Sequence, residues 1–104
     1  MPISYNKLVR DGIPNIIRRD GKTPHTHIAQ GSELESALLE KLLEEVLEFQ
    51  QSKDPSELAD VQEVVYAIAS FYGIKPQELD AKRKQKADER GAFSQGIILD
   101  YVDE

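Results

Sequence analysis

Five acids stand where a helical core would otherwise be uninterrupted. Between Leu42 and Asp60 the chain reads Glu44-Glu45-x-x-Glu48 and then, after a short break, Glu57-x-x-Asp60. Leucine, valine and alanine surround these acids at helical spacing. An aspartate or glutamate on an apolar helix face loses several kcal/mol in desolvation unless it is paired or holds a metal. The two helices contain too few lysines and arginines to neutralise all five, so the pattern points to a cation from outside the chain.

Helical periodicity places the acids. Ser32 with Glu35 matches a capping box and predicts the start of a long helix ending near Ser52. On a wheel of about 100° per residue, Leu34, Leu38, Leu42, Val46 and Phe49 form a band widened by Leu39, Leu43 and Leu47. Glu45 lies at its edge, and Glu48 and Glu44 follow further round. Asp54 as cap and Pro55 at the first position predict a second helix running to about Tyr72, with Gly73 as its stop. Its apolar face is Val61, Val64, Val65, Ala67, Ile68, Phe71 and Tyr72. Glu57 and Asp60 fall within that face. A connection of a few residues makes the helices antiparallel neighbours, which sets Glu45 and Glu48 opposite Glu57 and Asp60.

The flanks are less regular. Residues 1–12 read as an extended arm or loop, followed by a short helix from Ile13 to Arg19 that Asp20-Gly21 ends. Asp11 is placed as its cap. Residues 22–30 read as a short edge strand or a loop, with His25 and His27 at the surface. Pro76 opens a polar helix reaching Arg90 before Gly91. The segment after it carries Phe93, Ile97, Ile98, Leu99, Tyr101 and Val102, which predicts that it docks on the helices.

Length and charge narrow the function. The chain has 104 residues, enough for one domain spanning 1–104 and one core. It has no cysteine, which excludes disulfides, thiolate metal sites and a cysteine nucleophile. No run approaches the roughly 20 apolar residues of a membrane span, and no signal-peptide pattern opens the chain, so a cytoplasmic protein is expected. The formal net charge of −6 argues against duplex nucleic acid. Basic residues gather at both ends of the sequence around an acidic centre, which suits a phosphate ligand that brings its own metal. The donors are oxygen only. They favour Mg²⁺, with Mn²⁺ as an alternative, over zinc or copper.

Three stretches together resemble a known family. Glu44-Glu45-x-x-Glu48 with Glu57-x-x-Asp60 is similar to the signature of the all-α nucleotide pyrophosphohydrolases, the superfamily of MazG, dimeric dUTPases and phosphoribosyl-ATP pyrophosphohydrolase. Tyr5-Asn6-Lys7-Leu8-Val9-Arg10-Asp11-Gly12-Ile13-Pro14 resembles the opening of a MazG-like branch, and Lys86 to Phe93, KADERGAF, resembles that branch's K-x-x-x-R-G-x-F segment. The resemblance implies an all-α antiparallel bundle, a four-helix core completed by oligomerisation into a homodimer or homotetramer. It implies Mg²⁺-dependent cleavage of a nucleoside triphosphate between the α and β phosphates, giving a monophosphate and pyrophosphate. By position, Glu45, Glu48, Glu57 and Asp60 match the metal ligands, and Glu44 a catalytic, water-orienting acid. Lys7, Arg10, Lys86 and Arg90 are the candidate phosphate ligands. Nucleotide-pool house-cleaning is the expected role. Phosphoribosyl-ATP hydrolysis in histidine biosynthesis and a non-catalytic nucleotide-binding module are its alternatives.

Overall fold

Four helices account for the regular structure in the computed structural model, which describes residues 3–104: α1 (Ile13–Arg19), α2 (Gly31–Ser52), α3 (Pro55–Phe71) and α4 (Pro76–Arg90). There is no strand among the described residues, so the 22–30 segment is a loop. Met1 and Pro2, the start of the expected arm, lie outside the described residues. No described helix is long and apolar enough to cross a membrane.

The α2–α3 hairpin is the organising unit. Lys53 ends α2 in the left-handed region (φ 58°), its N–H reaching the Phe49 carbonyl. Asp54 then caps α3, its carboxylate accepting from the Ser56 N–H at 3.0 Å, with Pro55 supplying a preset φ in the first turn. So tight a connection folds α3 back along α2. The far end of the hairpin is tied by the Tyr72 hydroxyl, which donates to the Glu35 carboxylate at 2.6 Å. That bond explains a departure from expectation. Glu35 is engaged by α3, and α2 begins at Gly31 with Gln30 as N-cap and no side-chain cap, so the Ser32–Glu35 capping box does not form. Nor does Asp11 cap α1, whose N-cap is Gly12 with no side-chain hydrogen bond.

The core is thin. Leu38, Val64 and Ala69 are the buried hydrophobic residues, and Glu45 is buried with them at 6% exposure. Leu34, Leu42, Phe49, Val61, Val65, Ile68 and Phe71 are half-buried around this seam. Leu39, Leu43, Val46 and Leu47, expected in the apolar band of α2, and Ala67 and Tyr72, expected in the apolar face of the second helix, are exposed. A single hairpin partner covers only part of so wide a band. α4 packs on α3 and contributes only Leu79 and Ala87 as half-buried residues. The segment 91–104, expected to dock on the helices, has no helix or strand and leaves its apolar side chains open to solvent.

Candidate metal centre

The hairpin brings the two acidic motifs together. Carboxylate oxygens of Glu44, Glu45 and Glu48 lie within 4.8 Å of one another, and so do those of Glu45, Glu57 and Asp60. Glu45 belongs to both triplets and is therefore the pivot. Its place is set by the seam: one turn from Lys41 and one from Phe49, it turns inward beside Leu38 and Leu42. Glu57 and Asp60, one turn apart on α3, are half-buried opposite it, while Glu48 stands at the exposed rim. Glu57 is not part of a capping box, because the Asp54 N–H that it would have accepted donates to Ser52 Oγ.

Cations of the chain reach part of the cluster. Lys41 Nζ lies 3.1 Å from Glu45 Oε1 and 3.5 Å from Glu44 Oε2. The N-terminal arm supplies two more: Lys7 Nζ is 2.9 Å from Glu44 Oε1, and Arg10 Nη2 is 2.6 Å from Asp60 Oδ1. The hydrogen bond from Lys7 draws the Glu44 carboxyl below its ordinary value and raises Lys7 in turn. Two oxygens are left over. Glu45 Oε2 and Glu57 Oε2 are buried without any hydrogen-bond partner. Desolvation accordingly raises both carboxyls, and neighbouring acids add to it: Glu48 for Glu45, and Asp60, Glu48 and Glu45 for Glu57.

Buried carboxylate oxygens without a partner are rare because each forfeits its hydration for nothing. Here two of them belong to one triplet, in a set with oxygen donors only. That donor set suits a hard divalent cation such as Mg²⁺ or Mn²⁺ and not zinc or copper. Glu45, Glu57 and Asp60 fit as residues that would hold it, and Glu48 adjoins them through Glu45.

The other expected site residues divide. Lys7 and Arg10 do reach the cluster, but their partners in this structure are carboxylates. Lys86 and Arg90 are on α4, which packs on α3 alone, and neither makes a hydrogen bond or ion pair with the acids among the described residues. His27 pairs with Glu33 at 2.9 Å, away from the site, as a surface histidine would. Lys41 is the participant that the sequence argument passed over. Its signal was present as spacing, three and four residues before Glu44 and Glu45 on one helix face. Compared with models of protein families, with characterised proteins and with solved structures, the chain matches none.

Proposed function

We propose that this chain is a Mg²⁺-dependent nucleotide pyrophosphohydrolase of the MazG-like, all-α type, acting on nucleoside triphosphates in nucleotide-pool house-cleaning. The observation that carries the proposal is the pair of orphaned, buried oxygens, Glu45 Oε2 and Glu57 Oε2, inside a cluster of oxygen donors. Two triplets of carboxylates that share Glu45 are more than a solvated helix face requires. They are what a phosphate-handling cation site requires.

In this proposal Glu45, Glu48, Glu57 and Asp60 hold the ion. When bound, it supplies positive charge for phosphoryl oxygens and lowers the pKa of a bound water. Glu44 lies beside the ligands with one oxygen toward the arm, and serves to orient the attacking water. Arg10 sits on Asp60, a carboxylate that the cation would neutralise, and Lys7 on Glu44 beside the ligands, so both lie in reach of the triphosphate, Arg10 as a two-pronged donor and Lys7 as a point charge. Lys86 and Arg90 are assigned to the substrate on the resemblance of the KADERGAF segment. Assembly as a homodimer or homotetramer, a bundle completed between copies and a cytoplasmic location belong to the same proposal.

Pyrophosphate release from a panel of nucleoside triphosphates and phosphoribosyl-ATP, with Mg²⁺, with Mn²⁺ and with chelator, tests it. Metal-dependent release confined to a few substrates is the expected result. Turnover of phosphoribosyl-ATP alone would reassign the enzyme to histidine biosynthesis. Release from none, by folded protein, would leave the non-catalytic binding module, a reading that the arm's pairing of Lys7 and Arg10 with the acids favours.

A further inference from the structure

This chain exposes far more surface than a folded monomer of its mass. Its accessible area is 9320 Å² at 11.7 kDa, whereas a monomeric protein of that mass exposes about 5,900 Å². The surplus is about 3,400 Å² on the same scaling. The radius of gyration is 18.2 Å, against roughly 13 Å for a compact domain of this length.

Two apolar surfaces are left uncovered. The first is a flank of α2: Leu39, Leu43, Val46 and Leu47 are 45–65% exposed. By the helical wheel they lie about 80–180° round from Leu38, an arc otherwise holding only Ser32, Ser36 and Gln50. Glu44 and Glu48 project from the opposite flank of the same helix. The second surface is the segment 91–104, where Phe93 is 98% exposed and Ile97, Ile98, Leu99, Tyr101 and Val102 are at least 67% exposed.

We propose that these two surfaces bind one another between copies, residues 91–104 of one chain lying over the uncharged α2 flank of a second. The proposal rests on the homo-oligomer part of the function stated above, to which it adds the surface and the occupant, and on no part of the metal site. The occupant is a second copy because the area demands it. Obligate homo-oligomers bury about 2,000–5,000 Å² or more, and four side chains on one flank cannot supply an interface of that class without the segment. Exchange around a two-fold axis also closes: each copy gives one segment and receives one, leaving neither of these two surfaces unpaired. Within one chain α4, from which the segment continues, packs on α3 and not on α2. The carboxylates, on the far side of α2, stay open to ligand.

The chain lacks cysteine, so disulfide trapping has a clean background. Full-length single variants Leu43→Cys and Ile98→Cys are mixed, left to exchange and oxidised. Leu43→Cys with Lys84→Cys, a position exposed on α4, serves as the control pair. The Leu43–Ile98 pair is expected to cross-link between chains at least about tenfold faster than the control, in a protein whose light-scattering mass is two chains or a multiple of two. Ile97→Ser with Ile98→Ser is expected to weaken assembly roughly 100-fold or more, the loss from two buried isoleucines. A monomeric mass at tens of micromolar would overturn both the exchange and the homo-oligomer. An oligomer that cross-links no faster than the control would overturn the exchange alone. In a chain carrying both Leu43→Cys and Ile98→Cys, cross-links formed only within single chains would place the segment on its own α2, and overturn it as well. None of these outcomes touches the metal site, because none of the substituted residues belongs to it.

Discussion

The two flanks of α2 present opposite problems to the same helix. On one, Glu44, Glu45 and Glu48 bring more negative charge than the chain neutralises, although Lys41 and Lys7 reach into it. On the other, Leu39, Leu43, Val46 and Leu47 are uncharged and uncovered. The first flank keeps buried carboxylate oxygen without a partner, and the second keeps apolar surface uncovered. A surplus of charge and a surplus of apolar surface call for different remedies, since a small ion satisfies the one and only a macromolecular surface of matching area the other. That difference teaches that the hairpin leaves charge and apolar surface unsatisfied on separate faces, and each can be probed experimentally without the other.

On the acidic flank the largest effect is expected from Asp60→Asn. It should lower metal-dependent pyrophosphate release by about 10³-fold, the several kcal/mol that a correctly held cation supplies to the transition state, while the far-UV helical signal stays unchanged. Full activity in that variant would mean that the ion is held elsewhere.

The apolar flank is probed by comparing Leu38→Ala with Leu43→Ala in chemical denaturation. Leu38 is buried already, and its truncation should destabilise by about 2–5 kcal/mol. Leu43→Ala should destabilise by at least about 1 kcal/mol if a second chain covers it, against roughly 0.5 kcal/mol or less for a solvent-exposed site. Equal, small effects of Leu43→Ala at all protein concentrations would show that the flank stays bare.

Metal addition acts on the acidic flank alone. At a hundred times its dissociation constant an ion stabilises by about 2.7 kcal/mol, which for a chain of this size raises Tm by roughly 10 °C. Calorimetric scans with Mg²⁺ and with chelator measure it. A Tm indifferent to Mg²⁺ would argue that the orphaned oxygens bind nothing.

The pH dependence of the metal-free chain follows from the raised carboxyls. Glu45 and Glu57 are pushed above the ordinary glutamate value of 4.5 by burial. A carboxyl raised in the folded state contributes stability below its unfolded value and loses it as pH rises through the folded value. Glu44, drawn down by Lys7, acts in the opposite sense and contributes above 4.5. The variant Glu45→Gln with Glu57→Gln should therefore be more stable than the parent in chelator at pH 7.5, and show little difference at pH 4.5. Melts at the two pH values would decide it, and a variant less stable at both would contradict the assignment of burial as the cause.

The smallest effect concerns the arm. Lys7→Ala removes an exposed ion pair and should change stability by less than about 1 kcal/mol, while tightening Mg²⁺ binding a few-fold, because a positive charge is removed from beside the ligands. Titration calorimetry measures this, and weaker binding in the variant would place Lys7 among the groups that support the ion.

Much of the acidic flank was legible in the order of residues. The i, i+3 and i, i+4 spacings of Glu44, Glu45 and Glu48, the pair Glu57 and Asp60 at one turn, and the Asp54-Pro55 cap are local patterns, and a short connection leaves the hairpin little choice but to fold antiparallel. The extents of all four helices followed from caps, prolines and glycines within a residue or so. The Ser32–Glu35 box did not, because the Tyr72 hydroxyl, 37 residues from Glu35, takes the carboxylate that the box would have used.

Sequence alone thus determined the four helices, the face on which each acid stands and the absence of sulfur ligands, all of which depend on periodicity and residue type. Tertiary structure alone decided which acids are satisfied. Lys7 and Arg10 meet Glu44 and Asp60 across 37 and 50 residues, and only three-dimensional packing shows that Glu45 Oε2 and Glu57 Oε2 are left without partners. It also decided that half of the expected apolar band is bare, since a helical wheel fixes the direction of a side chain but not whether anything stands there to cover it.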